Sequence, residues 1–170
     1  CPVHTELYLF SCWAAALEES GYVAAQLGKR NDAKRWIKEA ENVRRIITRK
    51  FWNADTRFYN FALNGDGSPN NTKTIFPAVA IYFGCARVVK SAEMLREFAS
   101  QTFASDWGIR MVGRDNPSFN PDGYHSGSVW PLFTGWASLA EFASHRPLQG
   151  YIHAMNNLLM YRNWAAGYLP

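Results

Sequence analysis

At 170 residues, with 48% hydrophobic and 19% charged residues, the chain is too apolar to be disordered and long enough to bury about 70% of its extended surface as one domain. Its formal charge of +4 gathers in Lys34, Arg35, Lys38, Arg44, Arg45, Arg49 and Lys50; acids at i,i+4 spacing, Glu39 after Arg35 and Glu41 before Arg45, make this a solvated helix face and argue against nucleic acid as a partner. No apolar run approaches about 20 residues and no export signal occurs, which argues against a membrane span and favours a cytoplasmic location.

The predicted elements are helices. The first spans about Thr5 to Leu27 and stops at Gly28, a suitable residue just past a helix end. A second is capped by Asn31 or Asp32 and carries Trp36, Ile37, Ala40, Val43, Ile46, Ile47 and Phe51 on one side. The third covers Ile75 to Ala86. Ser91 caps a fourth that runs through Met94, Leu95, Phe98 and Phe103. The fifth starts near Ser126 or Ser128, tolerates Pro131 in its first turn and reaches Ala143; the sixth runs from Pro147 to about Trp164.

The links between these helices alternate in length. Lys29–Arg30, Arg87–Lys90 and Ser144–Arg146 are short, as antiparallel hairpins require, whereas Asn53–Thr74 and Ala104–His125 are long. Both long loops, and both chain ends, then fall where odd helices begin and even helices end. The odd helices are apolar nearly all round and the second is one-sided, which predicts an inner and an outer layer. The expected fold is all-α: three antiparallel hairpins forming about half of an (α/α)6 toroid, with small β elements in the long loops. Residues 1–170 form a single partial domain, whose exposed edges favour self-association.

An aromatic share of 15% serves either a core or a site where sugar rings stack. The second long loop favours a site. Asn116-Pro117, Asn120-Pro121 and Asp122-Gly123 make it a series of turns that gathers Trp107, Arg110, Tyr124, His125 and Trp130, and Ser126 and Ser128 add hydroxyls before a helix N-terminus. Glycosidic cleavage needs two carboxylates about 5 to 9.5 Å apart. Glu6, Asp106, Asp115 and Asp122 are candidates, each with a plain role in a helix turn or loop cap as the alternative. Cys1, Cys12 and Cys85 read as buried thiols, His4, His145 and His153 form no ligand set, and neither metal nor cofactor is called for. Asn70-Asn71-Thr72 marks an exposed turn.

Trp107-Gly108-Ile109-Arg110, followed by Tyr124-His125-Ser126-Gly127-Ser128-Val129-Trp130-Pro131, resembles a block of the six-hairpin (α/α)6-toroid glycoside hydrolases, nearest the amylo-α-1,6-glucosidase (glycogen-debranching) and processing α-glucosidase type. Thr5-Glu6-Leu7, and Arg49 to Asn53 leading into Phe58-Tyr59, are more loosely similar. The resemblance implies an inverting hydrolase of an α-glucoside or related oligosaccharide, with Trp107, Arg110, Tyr124, His125, Ser126, Ser128 and Trp130 bordering the sugar. It also implies a general acid on a hairpin before Cys1 and a general base after Ala166-Gly167-Tyr168-Leu169-Pro170, so that the isolated chain is inactive. A non-catalytic helical module binding a carbohydrate or a protein through the same loops is the alternative.

Overall fold

The computed structural model describes residues 3–162. Its first element departs from expectation. Residues Val3–Glu6 are a strand, β1, paired antiparallel with β4 (Ala62–Asn64), and the Leu7 amide donates to the Phe61 carbonyl at 3.0 Å. The backbone donors of Thr5 and Glu6 are thus available to a ladder rather than to a first helical turn. Helix α1 (Leu7–Gln26) follows and ends as expected, with Gly28 at φ +74° in the left-handed region.

Helix α2 (Arg30–Ile46) packs along α1. A Cβ on Gly21 would lie 2.7 Å from the Ile37 side chain, so the missing side chain sets how closely the two helices approach. Neither Asn31 nor Asp32 caps α2, which begins uncapped at Lys29. Asp32 instead pairs with Arg35 at 3.2 Å, and Arg45 donates to Asn42 at 2.7 Å, so the expected Arg35–Glu39 and Glu41–Arg45 pairs give way to shorter-range partners. A π-helical turn, Ile47–Phe51, extends α2 and buries Ile47 and Phe51.

The first long loop holds β2 (Trp52–Asn53) hairpinned to β3 (Phe58–Tyr59), then β4 and β5 (Pro69–Asn70), which complete a sheet ordered β1-β4-β5. Helix α3 is only Pro77–Tyr82, since Gly84 turns the chain at φ +68° well before Ala86. Helix α4 (Val88–Phe98) starts ahead of Ser91; the buried Ser91 hydroxyl bonds back to the Arg87 carbonyl at 3.0 Å inside the first turn. Phe103, beyond the end of α4, folds back to stack on Phe58 at 5.9 Å, with Phe98 edge-on to both.

After a second hairpin, β6 (Ala104–Ser105) with β7 (Gly108–Ile109), come α5 (Pro131–Ala143) and α6 (Pro147–Arg162). Ser126 lies in a turn and Ser128 in irregular chain, and the helix waits for Pro131, whose fixed φ suits its first position. Trp164, the Ala166–Pro170 lead-in and Cys1 lie outside the described residues. Of the other cysteines, Cys85 is buried and Cys12 only half-buried.

Helix α3 packs against α1 on one side and α5 on the other, α2 covers α1, and α6 covers α5; α3 touches α4 only slightly. The chain is therefore helix-rich and layered, with its small strands lying in the two long loops and ahead of α1. Apolar side chains remain exposed on α1 (Leu9, Trp13, Val23), on α5 (Leu132, Leu139, Phe142) and on α6 (Leu148, Tyr151, Leu158). No helix among the described residues is long and apolar enough to cross a membrane.

Phe103, fully buried between Phe58 and Phe98, fastens the second long loop to the core. Phe103→Ala is expected to lower unfolding stability by about 3–5 kcal/mol, read as a shifted urea midpoint with an unchanged slope.

Candidate functional site

The second long loop is fixed at its root by close packing. Asp106 and Trp107 form the two-residue turn between β6 and β7, and the Ser105 hydroxyl closes that turn by donating to the Gly108 carbonyl at 2.9 Å. Gly108 has φ +132°, and any Cβ there would overlap the Thr134 side chain of α5; the Thr134 hydroxyl oxygen accepts the Ile109 amide at 3.0 Å. Glycine is required on both counts. Trp107 consequently projects from a tip whose base is held against a helix.

The return of the loop is shaped around one indole. Trp130 Nε1 donates to Ser128 Oγ at 2.9 Å and to the Tyr124 carbonyl at 3.1 Å, while the Ser128 hydroxyl donates to that same carbonyl. The turn from Tyr124 to Ser128 therefore encloses the indole N–H. Tyr124 packs edge-on to Trp130 at 4.7 Å and His125 stacks on it at 5.7 Å.

Trp107, Arg110, Tyr124, Ser128 and Trp130 line one cavity of about 1030 Å³. Two other sequence candidates lie outside its lining: His125 stacks on Trp130 and is exposed, and Ser126 serves the backbone turn, accepting the Asn120 amide at 3.1 Å. Arg110 hands one nitrogen to the carbonyls of Phe103 and Ala104, and among the described residues its remaining N–H groups meet no acceptor. Burial, then the neighbouring Arg114, pull its pKa below the ordinary guanidinium value.

Among the lining residues not singled out in the sequence, three carry large side chains. Arg114 and Phe119 lie on the turns of the loop itself and Met160 comes from the end of α6. Nothing local marks Arg114 or Phe119, and Met160 reaches the cavity only because α6 folds back along α5.

The candidate carboxylates are scattered. Asp122 lines the cavity. Asp106 sits exposed on the β6–β7 turn, and Asp115 is bound to Lys73 at 3.2 Å, which also holds Glu97 of α4 at 3.0 Å. Glu6 stands at the N-cap of α1 without a capping bond, and burial raises its pKa; it lies two residues from Tyr8, which packs on Phe133, itself 6.1 Å from Trp130. Among the described residues the cavity thus offers aromatic walls, two guanidinium groups, hydroxyls and one carboxylate, without a carboxylate pair.

Comparison with known proteins adds a family. The sequence profile of the mannosylglycerate hydrolase MGH1-like glycoside hydrolase domain matches residues 10–165. No curated protein matches the chain in sequence. Among solved structures, the GH63 mannosylglycerate hydrolase from Thermus thermophilus in complex with Tris and D-glycerate superposes with a TM-score of 0.79 at 15% identity, over 93% of this chain and 38% of that one. The same enzyme in complex with glucose gives 0.77 at 15% identity, over 93% and 39%. A sialidase gives 0.74 at 16% identity, over 86% of this chain and 15% of the other. These identities speak to fold alone, and the chain spans less than two-fifths of each of these structures. The profile is of a mannosylglycerate hydrolase type rather than the glycogen-debranching type that the sequence motifs resemble; glycoside hydrolase is common to both.

Gly108→Ala is expected to lower stability by about 2 kcal/mol or more through overlap with Thr134 and an unfavourable φ, and to shift Trp107 fluorescence. A melting curve and emission spectrum identical to those of the parent would show that the hairpin is not seated on α5 as described.

Proposed function

The chain belongs to the mannosylglycerate hydrolase MGH1-like glycoside hydrolase domain family, and on that premise we propose that it forms the sugar-binding part of an inverting hydrolase acting on an α-glucoside or a related oligosaccharide. The observation that carries this reading is the convergence of Trp107, Tyr124 and Trp130 with Arg110 on one large cavity. Trp107 and Tyr124 are 48% and 68% exposed, so their rings are not used as core and their faces are open to the apolar face of a sugar. The family match does not favour the non-catalytic binding module.

In an inverting reaction a carboxylic acid protonates the glycosidic oxygen as the C–O bond breaks, and a carboxylate takes a proton from the water that attacks the anomeric carbon from the opposite face. With Asp122 the one carboxylate lining the cavity among the described residues, the acid–base pair is assigned to chain beyond residues 3–162, and the isolated chain is inactive in this reading. Arg110 supplies donors to sugar hydroxyls, whereas Ser126, Ser128 and His125 order the loop. Arg114 beside Arg110 further suits a substrate bearing an acidic group.

The same reading makes the layered helices three hairpins, about half of an (α/α)6 toroid. The exposed apolar faces of α1 and of α5 are then the radial edges against which further hairpins pack, and in their absence copies of the chain associate. Analytical ultracentrifugation of the 170-residue chain should show a concentration-dependent dimer or larger species, and a monomer at every concentration would reject the edge assignment.

In the full-length enzyme, Trp107→Ala and Trp130→Ala should each lower kcat/KM by at least about tenfold, and Arg114→Gln should raise KM for an acidic glycoside more than for its neutral analogue. Unchanged kcat and KM in both tryptophan variants would remove the cavity from the catalytic path.

A further inference from the structure

Away from the aromatic cavity, positive charge gathers at one place. Arg45 from the last turn of α2, Arg49 from the π-helical turn, and Arg87 and Lys90 from the start of α4 line a cleft of about 430 Å³ with Thr48 between them. Along the chain, Arg45 and Arg49 belong to a charged helix face; the fold adds Arg87 and Lys90 from a distant segment. Among the described residues none of these four cations is ion-paired, although Arg44, Arg57, Lys73 and Arg146 all are. Arg45 meets only the Asn42 amide oxygen.

The walls of this cleft are clamped together. Arg44 donates to the Phe83 carbonyl at 3.2 Å, Thr48 donates to the carbonyls of Arg44 and Cys85 at 3.0 and 3.3 Å, and the buried Tyr59 hydroxyl donates to the Cys85 carbonyl at 3.5 Å. These bonds bind the link between α3 and α4 to the end of α2, to the π-helical turn that extends it and to β3, so the cations converge on a fixed frame. Lys90 is further held over the Trp52 ring, 4.4 Å from its centroid. Its ammonium is less basic than usual, first through burial and then through Arg87. Four like charges on a rigid frame raise the local positive potential, and an anion there relieves their mutual repulsion.

We infer that this cleft binds a phosphate group, either free phosphate or the terminal group of a phosphate monoester. The lining is cationic apart from one hydroxyl, so the site recognises charge and tetrahedral oxygens rather than a ring or an apolar body. Guanidinium forks match paired phosphate oxygens, and four cations suit a dianion better than a single carboxylate. The site shares no lining residue with the aromatic cavity and does not depend on the reading of that cavity.

Isothermal titration of the full chain with inorganic phosphate and with glucose 6-phosphate, at ionic strength matched by sodium chloride, tests this. Saturable one-site binding is expected, weakened about tenfold or more in Arg49→Gln/Arg87→Gln and less than about twofold in the control Lys34→Gln/Lys38→Gln. Melting curves of the same variants give a second readout: phosphate should raise the Tm of the parent and of the control but not that of the arginine pair. Tighter binding of glucose 6-phosphate than of phosphate identifies a monoester, and equal affinity identifies free phosphate. Absence of saturable binding, or equal weakening in both double variants, overturns the proposal.

Discussion

A row of aromatic rings sets the relation among the three inner helices, and the site depends on it. Tyr8 in the first turn of α1 lies 5.5 Å from both Phe76, just ahead of α3, and Phe133, in the first turn of α5; Phe76 and Phe133 are 5.1 Å apart. Contacts of this kind are worth about 0.5–1.5 kcal/mol each beyond burial and are particular about geometry. They fix the starting ends of α1, α3 and α5 at one level, and Trp130, next along the row, brings the return of the second loop to that level. Trp130 is therefore both the last member of a structural row and the back wall of the cavity.

Much of this was legible in the sequence because helical periodicity and short links are local signals. Gly28 ended α1 as its backbone freedom suggests, Pro131 opened α5, and the Trp107 to Trp130 stretch stood out by its turn residues and aromatic side chains. What escaped depended on partners distant along the chain. Thr5 and Glu6 are strand because Leu63 and Ala62 are there to pair with them, and α3 is short because Gly84 turns the chain toward α2. Met160 joins the cavity by the return of α6, which no spacing in its neighbourhood announces.

Charge is handled in two distinct ways. Glu141 is fully buried, yet its carboxylate is held by Arg146 Nε at 2.5 Å across the α5–α6 link, and Lys73 bridges Glu97 and Asp115 so that α4 and the second loop share one cation. Losing Arg146 would leave Glu141 as a desolvated charge, so that pair acts as a positional constraint more than as a source of stability, while the partly exposed Lys73 bridge serves to join two segments. Asp115 belongs to this group, which explains why an aspartate beside the site contributes nothing to the cavity lining.

The second loop leaves and re-enters the fold through neighbouring backbone contacts: Met111 bonds to Ser128 at 3.0 Å, Arg110 pairs with Val129, and Gly113 bonds to Lys73 at 3.1 Å. Everything between residues 114 and 127 thus hangs from a closed neck. The turns at residues 116–119 can change composition with little effect on Trp107, which stands outside the excursion on anchored backbone, whereas Tyr124 to Ser128 is tied to the Trp130 indole and its packing. Over evolutionary time such an arrangement lets descendants of one scaffold exchange the outer rim of the cavity while inheriting an unaltered aromatic floor.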